Sequence, residues 1–163
     1  MRTLSRSVLI IFASLTMLLL SACGSSPATI AELPMYPGAS ELKPGESVIG
    51  DTLAQNGQQD AAMREAMGLG GSTEQRGFSL PADADWAAVE SFYNEQLKAA
   101  GWTEGMGGMG GAMASQMLEQ ANQGNELFQT AMYTKGKQVL SVIRLASPID
   151  PNTAELILSL STQ

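Results

Sequence analysis

Residues 77–102 read G-F-S-L-P-A-D-A-D-W-A-A-V-E-S-F-Y-N-E-Q-L-K-A-A-G-W, and the order of apolar, turn and capping residues in this stretch decides the fold. Phe78 and Leu80 belong to a strand that Pro81 ends, because proline lacks the N–H that a ladder or a helix interior needs. Beyond it, Trp86, Val89, Tyr93, Leu97 and Ala100 recur at intervals of three and four, with Phe92 beside them. That spacing makes one apolar stripe on an α-helix. Asp83 is the expected N-cap, Glu90, Asn94, Glu95 and Lys98 are expected to face outward, and Gly101 closes the helix in a left-handed conformation. Trp102 then opens a return strand. The aromatic stripe reads as core.

Working outward, the C-terminal third is β. Leu127–Thr134 and Lys137–Ala146 flank a two-residue Lys135-Gly136 turn, and Thr153–Leu160 follows a longer Ser147–Asn152 loop. Val139, Ser141, Ile143 and Leu145 alternate with Leu140, Val142 and Arg144, and Ala154, Leu156, Leu158 and Leu160 alternate with Glu155, Ile157 and Ser159. One face of this sheet can therefore bury against the helix. On the N-terminal side, Pro37-Gly38 fits a type II turn, with Tyr36 near the edge of the core. A short strand is expected over Glu46–Leu53, and two helical turns over Asp60–Met67 with Met63 and Met67 on one face. The expected class is α+β: a two-layer sandwich with one main helix packed on an antiparallel sheet, ending in a three-stranded meander.

Two local patterns go together here: Tyr36-Pro37-Gly38-Ala39, and Phe92-Tyr93 followed by Leu97 and Gly101-Trp102. In this respect the chain resembles small bacterial envelope lipoproteins with a Y-P-G-A turn and an F-Y-x(3)-L-x(3)-G-W helix end. The resemblance covers about Pro34 to Leu160. It implies a fold and a compartment, with no activity attached.

The N-terminus points the same way. Arg2 and Arg6 form a basic n-region, Val8–Leu20 an apolar h-region and Ser21-Ala22 a small-residue cleavage site. The run is shorter than the roughly 20 apolar residues that span a bilayer. Leu20-Ser21-Ala22-Cys23 holds the only cysteine, and it resembles the lipobox cleaved by signal peptidase II. The resemblance implies that residues 1–22 are removed, that the Cys23 thiol carries a diacylglyceryl group, and that its fatty acyl chains hold the protein on a bacterial membrane. An ordinary secretory signal cleaved after Ala22 is the alternative, and would leave a free thiol. Residues 23–33 are expected as a flexible tether, and 34–163 as a single domain.

Composition narrows the chemistry. The chain has no histidine and carries a formal charge of −7. Once Arg2 and Arg6 leave with the signal, seven basic side chains face sixteen acidic ones, a charge of about −9. Such a surface repels phosphate backbones and anionic headgroups, which argues against nucleic acid and against peripheral electrostatic membrane contact. Without histidine there is no Ser-His-Asp or Cys-His machinery and no H-E-x-x-H zinc site. Carboxylates alone suffice for glycoside hydrolysis, but Asp83, Asp85, Glu90 and Glu95 read as cap and surface positions.

One segment stands apart. Residues 105–124 form a Gly/Met-rich insertion with Met106, Met109, Met113 and Met117 at spacings of three and four. Thioethers are soft, neutral ligands suited to Cu(I) or Ag(I), so these methionines are the candidate metal ligands, with Met63 and Met67 expected near them. A mobile loop, a short amphipathic helix over Ala112–Asn122 or a partner-docking surface fits the same residues. The favoured expectation is a non-catalytic, lipid-anchored envelope protein that needs no cofactor. Its partners are the membrane, through Cys23, and an envelope protein. A soft-metal lipoprotein and a small carboxylate-dependent hydrolase are the alternatives.

Overall fold

The computed structural model describes residues 27–45, 47–68, 70–106, 111–147, 150 and 153–163. Cys23, its flanking signal residues and Met109 lie outside them. Among the described residues, β1 (Ser40–Glu41), β2 (Ser72–Ser79), β3 (Thr103–Glu104), β4 (Phe128–Lys135), β5 (Gln138–Ala146) and β6 (Ala154–Thr162) make one antiparallel sheet. Its order is β1-β2-β6-β5-β4-β3, with β4, β5 and β6 as the C-terminal meander. Three helices accompany it: α1 (Val48–Met67), α2 (Trp86–Ala99) and α3 (Gly111–Asn122). The fold is α+β, a helix layer on an antiparallel sheet.

Cross-strand register puts the core on one face. Leu140 stands opposite Leu160, Val142 opposite Leu158, Phe78 opposite Leu156, and Tyr133 opposite Leu140. All are buried, as are Val89, Tyr93 and Leu97 of α2. The period of three and four on α2 meets the period of two on the strands, and each fully buried large side chain contributes roughly 1.5–3 kcal/mol. Ala100 is exposed instead of completing the stripe, and Trp86 is half-buried. Asp85, not Asp83, caps α2: its Oδ1 accepts from Ala88 N at 2.7 Å. Buried Ala84 holds the preceding turn against the core, so the helix cannot start earlier. Gly101 takes φ +82° and closes the helix.

The hairpin turn is shifted by one residue from its expected place. Lys135 pairs with Gln138, leaving Gly136-Lys137 as the two-residue turn. Gly136 has φ +60°, the value that the first central position of a type II′ turn requires. Its conformational freedom, not the flanking apolar pattern, sets the register. At the other end, Gly38 has φ +77° and Ala39 N donates to Tyr36 O at 3.0 Å, as a type II turn demands. Tyr36 packs edge-on against Phe92.

Two N-terminal expectations change more. Val48–Leu53, expected as strand with Glu46 (outside the described residues), is the start of a 20-residue helix. Ser47 Oγ accepts from Gly50 N at 2.9 Å as its cap, and Gly68 ends it at φ +64°. The β-branched run is overridden because Ile49 and Leu53 lie over Gly77, where the strand has no side chain. α1 thus covers β2 on the sheet face opposite α2, adding a partial third layer.

The expected tether at 23–33 also ends early. Ile30 and Leu33 are buried in the main core, and Ile30–Glu32 forms a 3-10 turn. Gln138, only 4% exposed, holds the entry point: its Oε1 accepts from Ala28 N at 2.9 Å and its Nε2 donates to Ala28 O at 2.7 Å. Tyr93 Oη donates to Pro34 O at 3.1 Å and fastens the next stretch beneath α2. Among the described residues, packing against the core starts at Ala28.

Candidate functional site

The Gly/Met insertion forms, in its described part, α3 along the β4 edge. β3 is only two residues long, so the outer backbone groups of β4 would otherwise be bare, and bare edges invite pairing with other chains. Gly105 N donates to Met132 O at 2.7 Å. Beyond it, Asn122 acts as a substitute strand: its Nδ2 donates to Thr130 O at 2.7 Å and its Oδ1 accepts from Thr130 N at 2.9 Å. Asn125 Oδ1 accepts from Phe128 N at 3.1 Å. Phe128 N, Thr130 N, Thr130 O and Met132 O are thus each met by a side chain or a turn.

Between α3, α2 and this edge lies a small cleft. Glu90, Glu104 and Glu119 enter it from α2, β3 and α3, with Met106, Ser115 and Asn122 on its walls. Burial raises the Glu90 carboxyl above its ordinary value, and the charges of Glu104 and Glu119 add to that. Glu90 and Asn94, expected to face outward, are half-buried because the flank of α2 is covered at this edge. Asn94 Oδ1 accepts from the buried Tyr133 hydroxyl at 2.8 Å. The cleft encloses about 30 Å³. Pockets that hold small molecules run to roughly 300–1,000 Å³, so this one has room for water and not for a sugar ring.

The other candidate residues scatter. Asp83, Asp85 and Glu95 are exposed. Met106 lines the cleft, whereas Met113 and Met117 are 67% and 63% exposed on α3. Met63 and Met67 are exposed on α1. Among the described residues, no cluster of three or more His, Cys, Asp or Glu side chains forms that could hold a metal ion, and no helix is long and apolar enough to cross a membrane.

The sequence reading passed over Glu104, Glu119 and Asn122. Each is an ordinary polar residue in its own segment, and only the approach of three elements groups them.

A second concave region lies at the end of the sheet where Ala28 enters. It is an open trough of about 480 Å³ between Gly101–Thr103 and the β4–β5 turn, lined by Lys135, Lys137, Thr134 and Gln138. Lys135 Nζ donates to Ala100 O at 2.8 Å, capping the C-terminus of α2, and lies 6.0 Å from the Trp102 ring centroid. No protein-family model matches the chain, and neither a curated protein nor a solved structure is significantly similar to it.

Proposed function

We propose that the chain is a lipid-anchored protein of the bacterial cell envelope, exported by residues 1–22 and held by acyl chains on Cys23. Its α+β domain acts as a non-catalytic binding or structural module for another envelope component. The observation that carries this reading is the seating of Ala28, Ile30 and Leu33 in the fold directly after Leu20-Ser21-Ala22-Cys23. A packed residue five positions beyond the anchor holds the domain at the membrane surface. The small size of the acidic cleft supports a role without catalysis.

Labelling cells with a fatty acid tests the anchor. Wild-type protein takes up label and sediments with membranes, while Cys23→Ala does neither. Unlabelled, soluble wild type overturns the reading.

The raised Glu90 carboxyl beside Glu104 and Glu119 favours one second reading, a carboxylate-dependent hydrolase, since such enzymes need one protonated and one ionised acid. Its cleft would have to widen several-fold. Hydrolysis of chromogenic glycosides that Glu90→Gln abolishes would establish it, and inactivity of the wild type on them argues against it.

A further inference from the structure

The entry point of the chain fixes which end of the domain lies near the anchor. Cys23 and Ala28 are five residues apart, and a fully extended chain advances at most about 3.6 Å per residue, so they lie within about 18 Å of each other. Ala28 is bound to Gln138, the first residue of β5, next to Thr162 at the end of β6. That end also carries the Gly136-Lys137 turn, the C-terminus of α2, Trp102 and the 480 Å³ trough. Lys98 and Lys137 are exposed there, and Lys135 lines the trough.

The opposite end has the opposite character. Asp85, Glu126 and Trp86 share a surface hollow with Arg144 and Thr153, and Asp83 precedes the α2 cap. The two ends are separated by the 14-residue α2, about 21 Å at 1.5 Å per residue. Charges more than about 8–10 Å from an anionic surface are largely screened at physiological salt. The charges of the near end therefore decide the interaction: Lys98, Lys135 and Lys137 outnumber Glu32 and Glu74, which accept from Thr29 N and Ile30 N beside the entry point.

We propose that this end of the sheet rests on the membrane that holds Cys23, with Lys98 and Lys137 against anionic phospholipid headgroups and the trough between Thr103 and Lys137 open to them. The domain then stands with α2 along the bilayer normal, its C-terminus nearer the headgroups, and with Trp86, Asp83 and Asp85 displayed away from them. This orientation rests on Cys23 being the anchor.

The two tryptophans report it directly. The 23–163 chain contains every core residue, and its single thiol can be coupled to a maleimide lipid in phosphatidylcholine vesicles that carry a headgroup-attached energy acceptor. Trp86→Phe, which keeps Trp102, transfers energy more efficiently than Trp102→Phe, which keeps Trp86. If Trp102→Phe does not fold, subtracting the Trp86→Phe signal from wild type gives the Trp86 share. Adding phosphatidylglycerol strengthens the Trp102 signal, and the double variant Lys98→Glu/Lys137→Glu loses that gain. Equal transfer from the two positions, or more from Trp86, overturns the orientation. Insensitivity to phosphatidylglycerol overturns the lysine contact. The coupling supplies the lipid chemically, so a failure here is distinct from a failure of fatty-acid labelling at Cys23.

Discussion

Tyr133 and Asn94 are joined by a 2.8 Å hydrogen bond in which the phenol donates to the side-chain carbonyl, tying the centre of β4 to the flank of α2. The Tyr133 ring is fully buried among the core leucines. Burial pushes its hydroxyl above the ordinary tyrosine range, as it does for Tyr93. Removing the hydroxyl in Tyr133→Phe keeps the ring and loses about 1 kcal/mol, a fall in melting temperature of about 4 °C. Because both phenols bind their protons more tightly folded than unfolded, stability falls as pH rises above the unfolded value near 10. Alkaline melts of wild type should steepen with pH, and those of Tyr133→Phe less so.

Gln138 holds Ala28 by two bonds and Thr162 Oγ1 by a third at 3.1 Å. Gln138→Glu keeps the size and the bond from Ala28 N but removes both donors, leaving Ala28 O unmatched and facing a buried carboxylate. We expect a loss of about 2 kcal/mol in urea unfolding, with faster amide exchange over Ala28–Leu33 than elsewhere. Unchanged exchange in that segment would mean that buried Ile30 and Leu33, with the Glu74 bond to Ile30 N, hold it without Gln138.

Asn122→Ala strips the cover from Thr130 on the β4 edge. Stability should drop by about 1–2 kcal/mol, and the protein should self-associate at concentrations where wild type stays monomeric by light scattering, since an uncovered edge templates pairing. Asn122→Asp keeps the acceptor for Thr130 N and should fall between the two.

Two glycines of α1 separate packing from helix propensity. A Cβ at Gly50 would meet the Lys43 carbonyl, its carbon at 2.6 Å, so Gly50→Ala must displace backbone and costs about 2–3 kcal/mol. At Gly57 nothing lies within 4 Å, and Gly57→Ala stabilises by about 0.5–1 kcal/mol. Thermal melts of the two variants should move in opposite directions.

Glu155 is 7% exposed, and its Oε2 has no partner among the described residues. Burial raises its carboxyl, so the folded state holds the proton more tightly than the unfolded chain. Stability is therefore favoured below the unfolded value of 4.5 and declines as pH rises through the folded one. Glu155→Gln should be more stable than wild type at pH 7 and should flatten that part of the pH profile. A variant less stable than wild type at pH 7 would show that the carboxylate is satisfied in solution.

The sequence by itself determined what neighbouring residues decide. The stripe through Val89, Tyr93 and Leu97, the glycine stop at 101, the Pro37-Gly38 turn and the alternation along Leu156–Leu160 each act within a few positions. Where a local pattern was ambiguous, it misled: Val48–Leu53 has strand-forming residues, yet Ser47 caps a helix there and Gly77 makes room for it on the sheet. The acidic cleft, the edge cover by Asn122 and the seating of Ala28 were decided only by tertiary structure. Ala28 and Gln138 are separated by 110 positions, and a polar side chain carries no local mark of the distant backbone it will bind. Periodicity and turn chemistry are short-range, whereas satisfying every buried or edge N–H and C=O depends on which elements the closed fold brings together.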